Sequence, residues 1–342
     1  MASRKRSNNQ DDALADRILQ RHPGVPISAY SMKVFRGAAR LSDRAPCALT
    51  IGNFDGVHRG HQRLLARLIA AAQERELTAS VMTFEPHPRE FFAPDRAPAR
   101  IASLRDKLGA FAACGVDRVY IMPFTRRLAL LAPDAFIEDI LLKNCNVKWL
   151  LVGSDFKFGA SRAGDVRLLS TRAAAGRFEL EVMPNVEDAN ERISSTAVRA
   201  ALSEGDLTRA ARLLDRAYAI TGRVLHGRKL GRSLGFPTLN LRVDAPPALR
   251  GIFAVRVHCL AERSVAGVAS LGLRPTVDSG GRWLLEVHLF DFTDAVYGKL
   301  VKVEFVKKLR DEQKYETLGQ LSAAMSGDAA RARAFLNSAA AL

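Results

Sequence analysis

Between residues 48 and 184 short apolar runs alternate with amphipathic stretches, and after residue 218 that alternation stops. The runs at 48–51, 79–84, 118–122, 149–152 and 178–182 have strand length. The segments 62–76, 103–114 and 135–143 between them carry apolar residues at helical spacing. Such alternation predicts parallel strands joined by crossover helices, hence a doubly wound α/β sheet. Two short helical pieces follow, at 195–202 and 207–214. Strand-like runs with turn residues between them then dominate, at 219–225, 253–260, 265–271, 283–292 and 300–309, and they predict an antiparallel barrel. An Ala-rich helical stretch at 317–342 closes the chain. Residues 1–31 are polar and broken by His22-Pro23-Gly24 and Pro26, which predicts a poorly ordered extension. The expected division is 1–31, 32–216 and 217–342.

In a doubly wound sheet ligands bind beyond the carboxyl ends of the strands. The first run there leads through Gly52-Asn53-Phe54-Asp55-Gly56 into His58-Arg59-Gly60-His61, and then into a helix with Leu64, Leu65, Leu68, Ile69 and Ala72. Two imidazoles three apart at a helix start share one face. The helix N-terminus and the loop N–H groups attract anions, so the segment reads as a phosphate site with two histidine donors. Nucleotidyl transfer suits such a site. It needs no protein nucleophile, only orientation and stabilisation of charge on phosphoryl oxygens, which imidazole, backbone N–H groups and Mg²⁺ supply. A pair of capping or surface histidines is the plainer alternative.

Further along, Arg192-Ile193-Ser194-Ser195-Thr196-Ala197-Val198-Arg199 places Ser195 or Thr196 as a helix cap, with Arg199 one turn on. Alone this is an ordinary cap with an exposed arginine. Together with the histidines it reads as phosphate binding. The loops Phe84-Glu85-Pro86-His87-Pro88-Arg89 and Gly153-Ser154-Asp155-Phe156-Lys157-Phe158-Gly159, the latter followed by Arg162 and Asp165, line a nucleotide or ring pocket or simply connect elements.

In the second half, Gly222, Gly227, Gly231 and Gly235 punctuate a stretch ending Phe236-Pro237-Thr238-Leu239-Asn240. Glycines let backbone approach a phosphate chain, and Thr238 and Asn240 offer hard oxygen ligands for Mg²⁺. The alternative is a glycine-rich barrel corner. Strand alternation puts Glu286, His288 and Phe290 on one face, where Glu286 can take a proton from a substrate hydroxyl or can simply face solvent.

Composition narrows the classes. Four scattered cysteines, with no Cys-x-x-Cys, argue against a disulfide framework and a structural zinc site. No apolar run approaches the ~20 residues of a membrane span. The polar, basic start has no apolar segment behind it, so a cytoplasmic protein without a membrane partner is expected. A net charge of +15 invites a nucleic-acid reading, but the arginines are spread along the chain and the longest basic run is Arg4-Lys5-Arg6. Anionic small substrates account for the field equally well, and no nucleic-acid partner is expected.

These motifs together resemble the bacterial bifunctional riboflavin kinase/FMN adenylyltransferase, or FAD synthetase, family. The matching stretches are 50–61, 83–89, 153–159, 193–199, 235–240, Arg274-Pro275-Thr276 and 285–292, in order from residue 32 to the closing helix. The resemblance implies a Rossmann-like, nucleotidyltransferase-type domain followed by a barrel kinase domain, acting on riboflavin, FMN, FAD and ATP with Mg²⁺. It implies that His58 and His61 act on ATP phosphates, with Gly52, Asn53, Phe54, Ser195, Thr196 and Arg199 around them. Gly227 and Gly231 would approach the kinase ATP, Thr238 and Asn240 would hold Mg·ATP, and Glu286 would be the base. Asp155, Phe156, Arg162, Arg274 and Thr276 would contact flavin. Two departures stand out: Leu239 replaces the usual Ala, and Ser270 the expected Asn. Three alternatives remain. A nucleotidyltransferase acting on pantetheine phosphate does not explain the β region after 216, a class I aminoacyl-tRNA synthetase lacks its Lys-Met-Ser-Lys-Ser loop here, and the third is a basic RNA-binding protein.

Overall fold

A computed structural model describes residues 32–37, 44–184, 187–188, 191–226, 235–274 and 281–338. The expectations for 1–31, Gly227, Gly231 and Thr276 lie outside the described residues. The chain divides into two compact units. Of the described residues, the first holds those from Met32 to Pro98 together with those from Lys107 to Ile193, and the second holds Ala99–Asp106 together with those from Ser194 to Ser338.

The first unit is built on six parallel strands: β1 (Lys33–Arg36), β2 (Cys47–Ile51), β3 (Thr78–Glu85), β4 (Arg118–Pro123), β5 (Val147–Gly153) and β6 (Glu179–Met183). Helices α1 (Arg59–Glu74), α2 (Pro88–Phe92), α3 (Leu104–Ala113), α4 (Phe136–Asn144, wound as a π-helix) and α5 (Val166–Ala174) lie between the strands in sequence. All five residues of β2 are buried, as expected of a parallel strand covered on both faces. Helix α1 buries Leu65, Leu68, Ala71 and Ala72, one face at 3.6-residue spacing. The strand order is β1-β4-β3-β2-β5-β6. The chain runs outward from β2 through β3 to β4, then crosses back over β2 to β5. The order therefore reverses between β2 and β5, and the loops after these two strands flank the ligand crevice of this topology. The five expected strands form within two residues of their expected ends. Edge strand β1 and helices α2 and α5 were not expected.

The second unit opens with α6 (Ser195–Glu204) and α7 (Leu207–Leu214). It continues as β7 (Ala219–Leu225), β8 (Thr238–Val243), β9 (Gly251–His258), β10 (Val265–Arg274), β11 (Arg282–Leu289) and β12 (Leu300–Arg310), and ends in α8 (Leu318–Ser338). The six strands close into an antiparallel barrel in the order β7-β8-β11-β10-β9-β12. Closure leaves no sheet edge open. Leu239, Leu241, Phe253, Leu271, Leu285, Val287 and Phe305 are buried along these strands. The sequence predicted five of the strands. The sixth, β8, comes from the segment read as a loop, so Thr238 and Asn240 are strand residues whose aim is set by the ladder.

Helix α8 buries Ala332 and Leu336 with Ala254 and Phe290 of the barrel. A buried ion pair helps to fix its position. Arg310 donates from Nε and Nη2 to the two oxygens of Asp328, at 3.0 and 2.6 Å, and Arg331 Nη2 adds a bond of 2.6 Å. The Asp328 carboxylate is only 3% exposed. Removing one partner of a buried pair leaves the other uncompensated, so Asp328→Asn is expected to destabilise the barrel unit by about 3 kcal/mol in urea unfolding.

Candidate active sites

The first site begins where β2 ends. Gly52 N donates to the Met82 carbonyl at 3.1 Å, and the chain then turns through Phe54 (φ 50°), Gly56 (φ 83°) and Val57 (φ 42°). A fully buried β-branched residue in the left-handed region is a strained one, and such strain persists where the surroundings over-determine it. Packing does so here. The Phe54 ring meets His61 edge-on at 5.0 Å and Phe111 at 5.4 Å. A Cβ on Gly52 would sit 3.0 Å from the same ring. The Phe54 side chain is thus a packing wedge, only 2% exposed, and what it can offer a phosphate is backbone. Asn53 is exposed at the loop tip, and its carbonyl accepts from Thr83 Oγ1 at 3.2 Å.

His58 is the N-cap of α1: its Nδ1 accepts from the His61 backbone N–H at 3.3 Å. That bond fixes the tautomer, because a neutral ring whose Nδ1 accepts carries its proton on Nε2. The capping reading and the phosphate reading therefore coexist in one residue. The two imidazoles stack at 3.7 Å with 16° between planes. Gly60 permits this, since a Cβ there would lie 3.2 Å from the His58 ring. His61 Nδ1 is buried without a hydrogen-bond partner among the described residues. Burial first, then the positive potentials of His58 and Lys107, hold the His61 imidazole well below its ordinary 6.5, so it is neutral at physiological pH. A neutral, half-buried imidazole at a helix N-terminus suits hydrogen bonding to phosphoryl oxygens without adding fixed charge.

The loop after β5 flanks the same switch point. Asp155 is exposed and paired with Arg192 Nη2 at 2.9 Å. Phe156 stacks on buried Phe158 at 5.6 Å, and Arg162 is exposed in a short 3₁₀ turn. His87 caps α2 with a capping box, so its ring serves the backbone. At the carboxyl ends of β3 and β4, Phe84, Phe91, Phe92 and Phe124 form an aromatic cluster with centroids 5.4–5.8 Å apart, and Phe92 is 65% exposed. Such a surface can stack a planar ring. The sequence reading missed it, although two adjacent phenylalanines in a proline-bounded turn were its signal.

Ser195, Thr196 and Arg199 lie in the second unit. The cap of α6 is Ser194, whose Oγ accepts from Ala197 N at 3.2 Å, not Ser195 or Thr196. Those two therefore occupy the first two helical positions. Arg199 Nε donates to the Ala99 carbonyl at 2.7 Å.

The second site is a face of the barrel. In the ladder Thr238 lies opposite His288 and Asn240 opposite Glu286, so these four side chains project to the same side. The residues between them, Leu239 and Val287, are buried. Asn240 Nδ2 donates to the Thr238 carbonyl at 3.4 Å, leaving Oδ1 as the amide's ligand atom. Among the described residues no group of three or more His, Cys, Asp or Glu forms a metal cage. Two neutral oxygens fit a Mg²⁺ that keeps its waters and is carried mainly by phosphates. Arg274 does not stand apart as a ring contact: its guanidinium binds Glu286, Ser270 and Glu312.

Comparisons with known proteins cover both parts of the chain. The FAD synthetase family model matches residues 41–197 and the riboflavin kinase model residues 214–336. A bifunctional riboflavin kinase/FMN adenylyltransferase of Escherichia coli (strain K12) is 47% identical over 89% of this chain and 98% of its own length. One of Pseudomonas fluorescens is 44% identical, over 89% and 97%. A solved structure titled a macrolide-efflux protein from Streptococcus pneumoniae superposes with a TM-score of 0.68 at 27% identity, covering 87% of this chain and 97% of that one. Among the described residues no helix is long and apolar enough to cross a membrane. The chain belongs to the bifunctional riboflavin kinase/FMN adenylyltransferase family.

Proposed function

We infer that this chain makes FMN from riboflavin and then FAD from FMN, using ATP twice. The observation that carries the inference is the presence in one chain of a histidine-capped helix at the switch point of a parallel sheet and a Thr-Asn-Glu face on a closed barrel. In the kinase step the terminal ribityl hydroxyl attacks the γ-phosphorus of ATP. The new O–P bond forms as the bond to the β-phosphate oxygen breaks, ADP leaves, and Glu286 takes the hydroxyl proton. Thr238 and Asn240 would hold Mg²⁺, which when bound neutralises phosphate charge. Gly227 and Gly231 are assigned to the same nucleotide and Thr276 to the flavin, on motif alone. In the second step an FMN phosphate oxygen attacks the α-phosphorus of a second ATP, and pyrophosphate leaves. His58 and His61 donate to the phosphoryl oxygens as charge builds on them. Gly52, Asn53, Ser195, Thr196 and Arg199 are assigned to nucleotide phosphate, and Asp155, Phe156 and Arg162 to the flavin. The two activities are assigned to 32–216 and 217–342, and the cytoplasm is the proposed compartment.

The test is chromatography of flavins after incubating the pure protein with riboflavin, ATP and Mg²⁺. FMN followed by FAD is the expected result, with neither formed in chelator. Riboflavin left unchanged at saturating Mg·ATP overturns the reading.

A further inference from the structure

With Glu286 read as the kinase base, we propose that Arg274, itself held by Glu312, is a positioning residue that clamps one oxygen of Glu286 and presents the other to the substrate hydroxyl. This inference rests on the assignment of Glu286 above. The contacts are asymmetric. Arg274 Nε and Nη2 both donate to Glu286 Oε2, at 3.0 and 2.7 Å. In the ordinary side-on pair each carboxylate oxygen takes one N–H. Here Oε2 takes both, and Oε1 receives neither.

The clamp is held from its far side. Arg274 Nη1 donates to Glu312 Oε1 at 3.0 Å, and Nη2 also donates to Ser270 Oγ at 2.9 Å. Ser270 Oγ in turn donates to Glu312 Oε1 at 3.4 Å. The planar guanidinium is thereby fixed by three groups: Glu286 from β11, Ser270 from β10, and Glu312 just beyond the end of β12. Ser270, Gly272 and Arg274 alternate onto one face of β10, and Ser270 is the ladder partner of Glu286. Gly272 explains how Glu312 fits. A Cβ at that position would overlap the Glu312 carboxylate, so the glycine leaves open the space that carboxylate fills. Ser270, the departure from the family's Asn, is thus an internal part of the clamp.

The physical gain is preorganisation. Ordering a free Glu side chain costs rotamer entropy. A carboxylate already pinned through one oxygen has met that cost before the hydroxyl arrives. Glu312 shares the guanidinium's positive charge, so Glu286 is oriented without being the sole counter-ion of Arg274.

The experiment is steady-state kinase kinetics on the full chain, with FAD formation from supplied FMN as a control in the same polypeptide. Arg274→Met is expected to lower kinase kcat about 10²-fold and Glu312→Gln about 10-fold, with KM for riboflavin and ATP within about 2-fold of wild type. Arg274→Lys should recover little of the loss, because an ammonium is a point donor and cannot make the fork. FAD formation from FMN should be unchanged in all three. Wild-type kcat in Arg274→Met and Glu312→Gln overturns the inference. So does a raised riboflavin KM with kcat kept, which would make Arg274 a substrate contact. A kcat loss that only tracks the folded fraction, read by thermal unfolding, also overturns it. Glu286→Gln separates the two readings. If it keeps wild-type kcat, the base assignment fails and the clamp with it; if it is inactive while Arg274→Met is fully active, only the clamp fails.

Discussion

A Glu286→Ala variant should phosphorylate riboflavin about 10³-fold more slowly than wild type, the usual span for removing a general base. It should still make FAD at the normal rate when FMN is supplied. The expectation rests on the ladder, which sets Glu286 opposite Asn240, beside the pair formed by Thr238 and His288. The proton acceptor and the oxygens assigned to Mg·ATP thus share one rigid face, which is how a hydroxyl and a γ-phosphate are held for in-line transfer. The loss should fall on kcat, since a base acts as the proton leaves. Kinase turnover near wild type in this variant removes Glu286 from the mechanism.

The converse is expected at the other site. A His61→Ala variant should form FAD from FMN and ATP about 10²- to 10³-fold more slowly, the range for losing one preorganised donor to a developing oxyanion. FMN should accumulate from riboflavin at the wild-type rate. Parallel loss of both products would break the two-site account. The variant also has a signature in pH. Burial, followed by His58 and Lys107, keeps the folded His61 imidazole neutral well below 6.5, whereas in the unfolded chain it takes up its proton near that value. The stability linked to this group is therefore full above pH 6.5 and lost as pH falls below it. His61→Ala removes that term, so its unfolding midpoint should drop less than that of wild type between pH 6.5 and about 5.5. An equal drop in both proteins would mean that His61 titrates in the folded protein as it does in the unfolded chain.

Much of this was legible in order along the chain. Apolar runs such as 48–51 announce strands, and the three-residue spacing of His58 and His61 puts both at one helix start. Other features were not. Strand β8 hid inside a Gly-Pro-rich stretch, because the short alternation Thr-Leu-Asn-Leu only becomes decisive when partner strands lie on both sides of it. The cap of α6 was expected at Ser195 or Thr196 and is Ser194, since all three are competent caps and only the backbone turn selects among them.

By itself the sequence determined the two-part architecture and the family, because periodicity and short motifs are local properties of a chain. The tertiary structure alone decided which nitrogen of His58 carries its proton and which oxygen of Glu286 takes the Arg274 bonds. It also decided that Arg274 answers to Glu312, 38 residues away in sequence. Tautomers, rotamers and ion pairs are set by whatever the fold brings within about 3 Å, a distance on which sequence separation has no bearing.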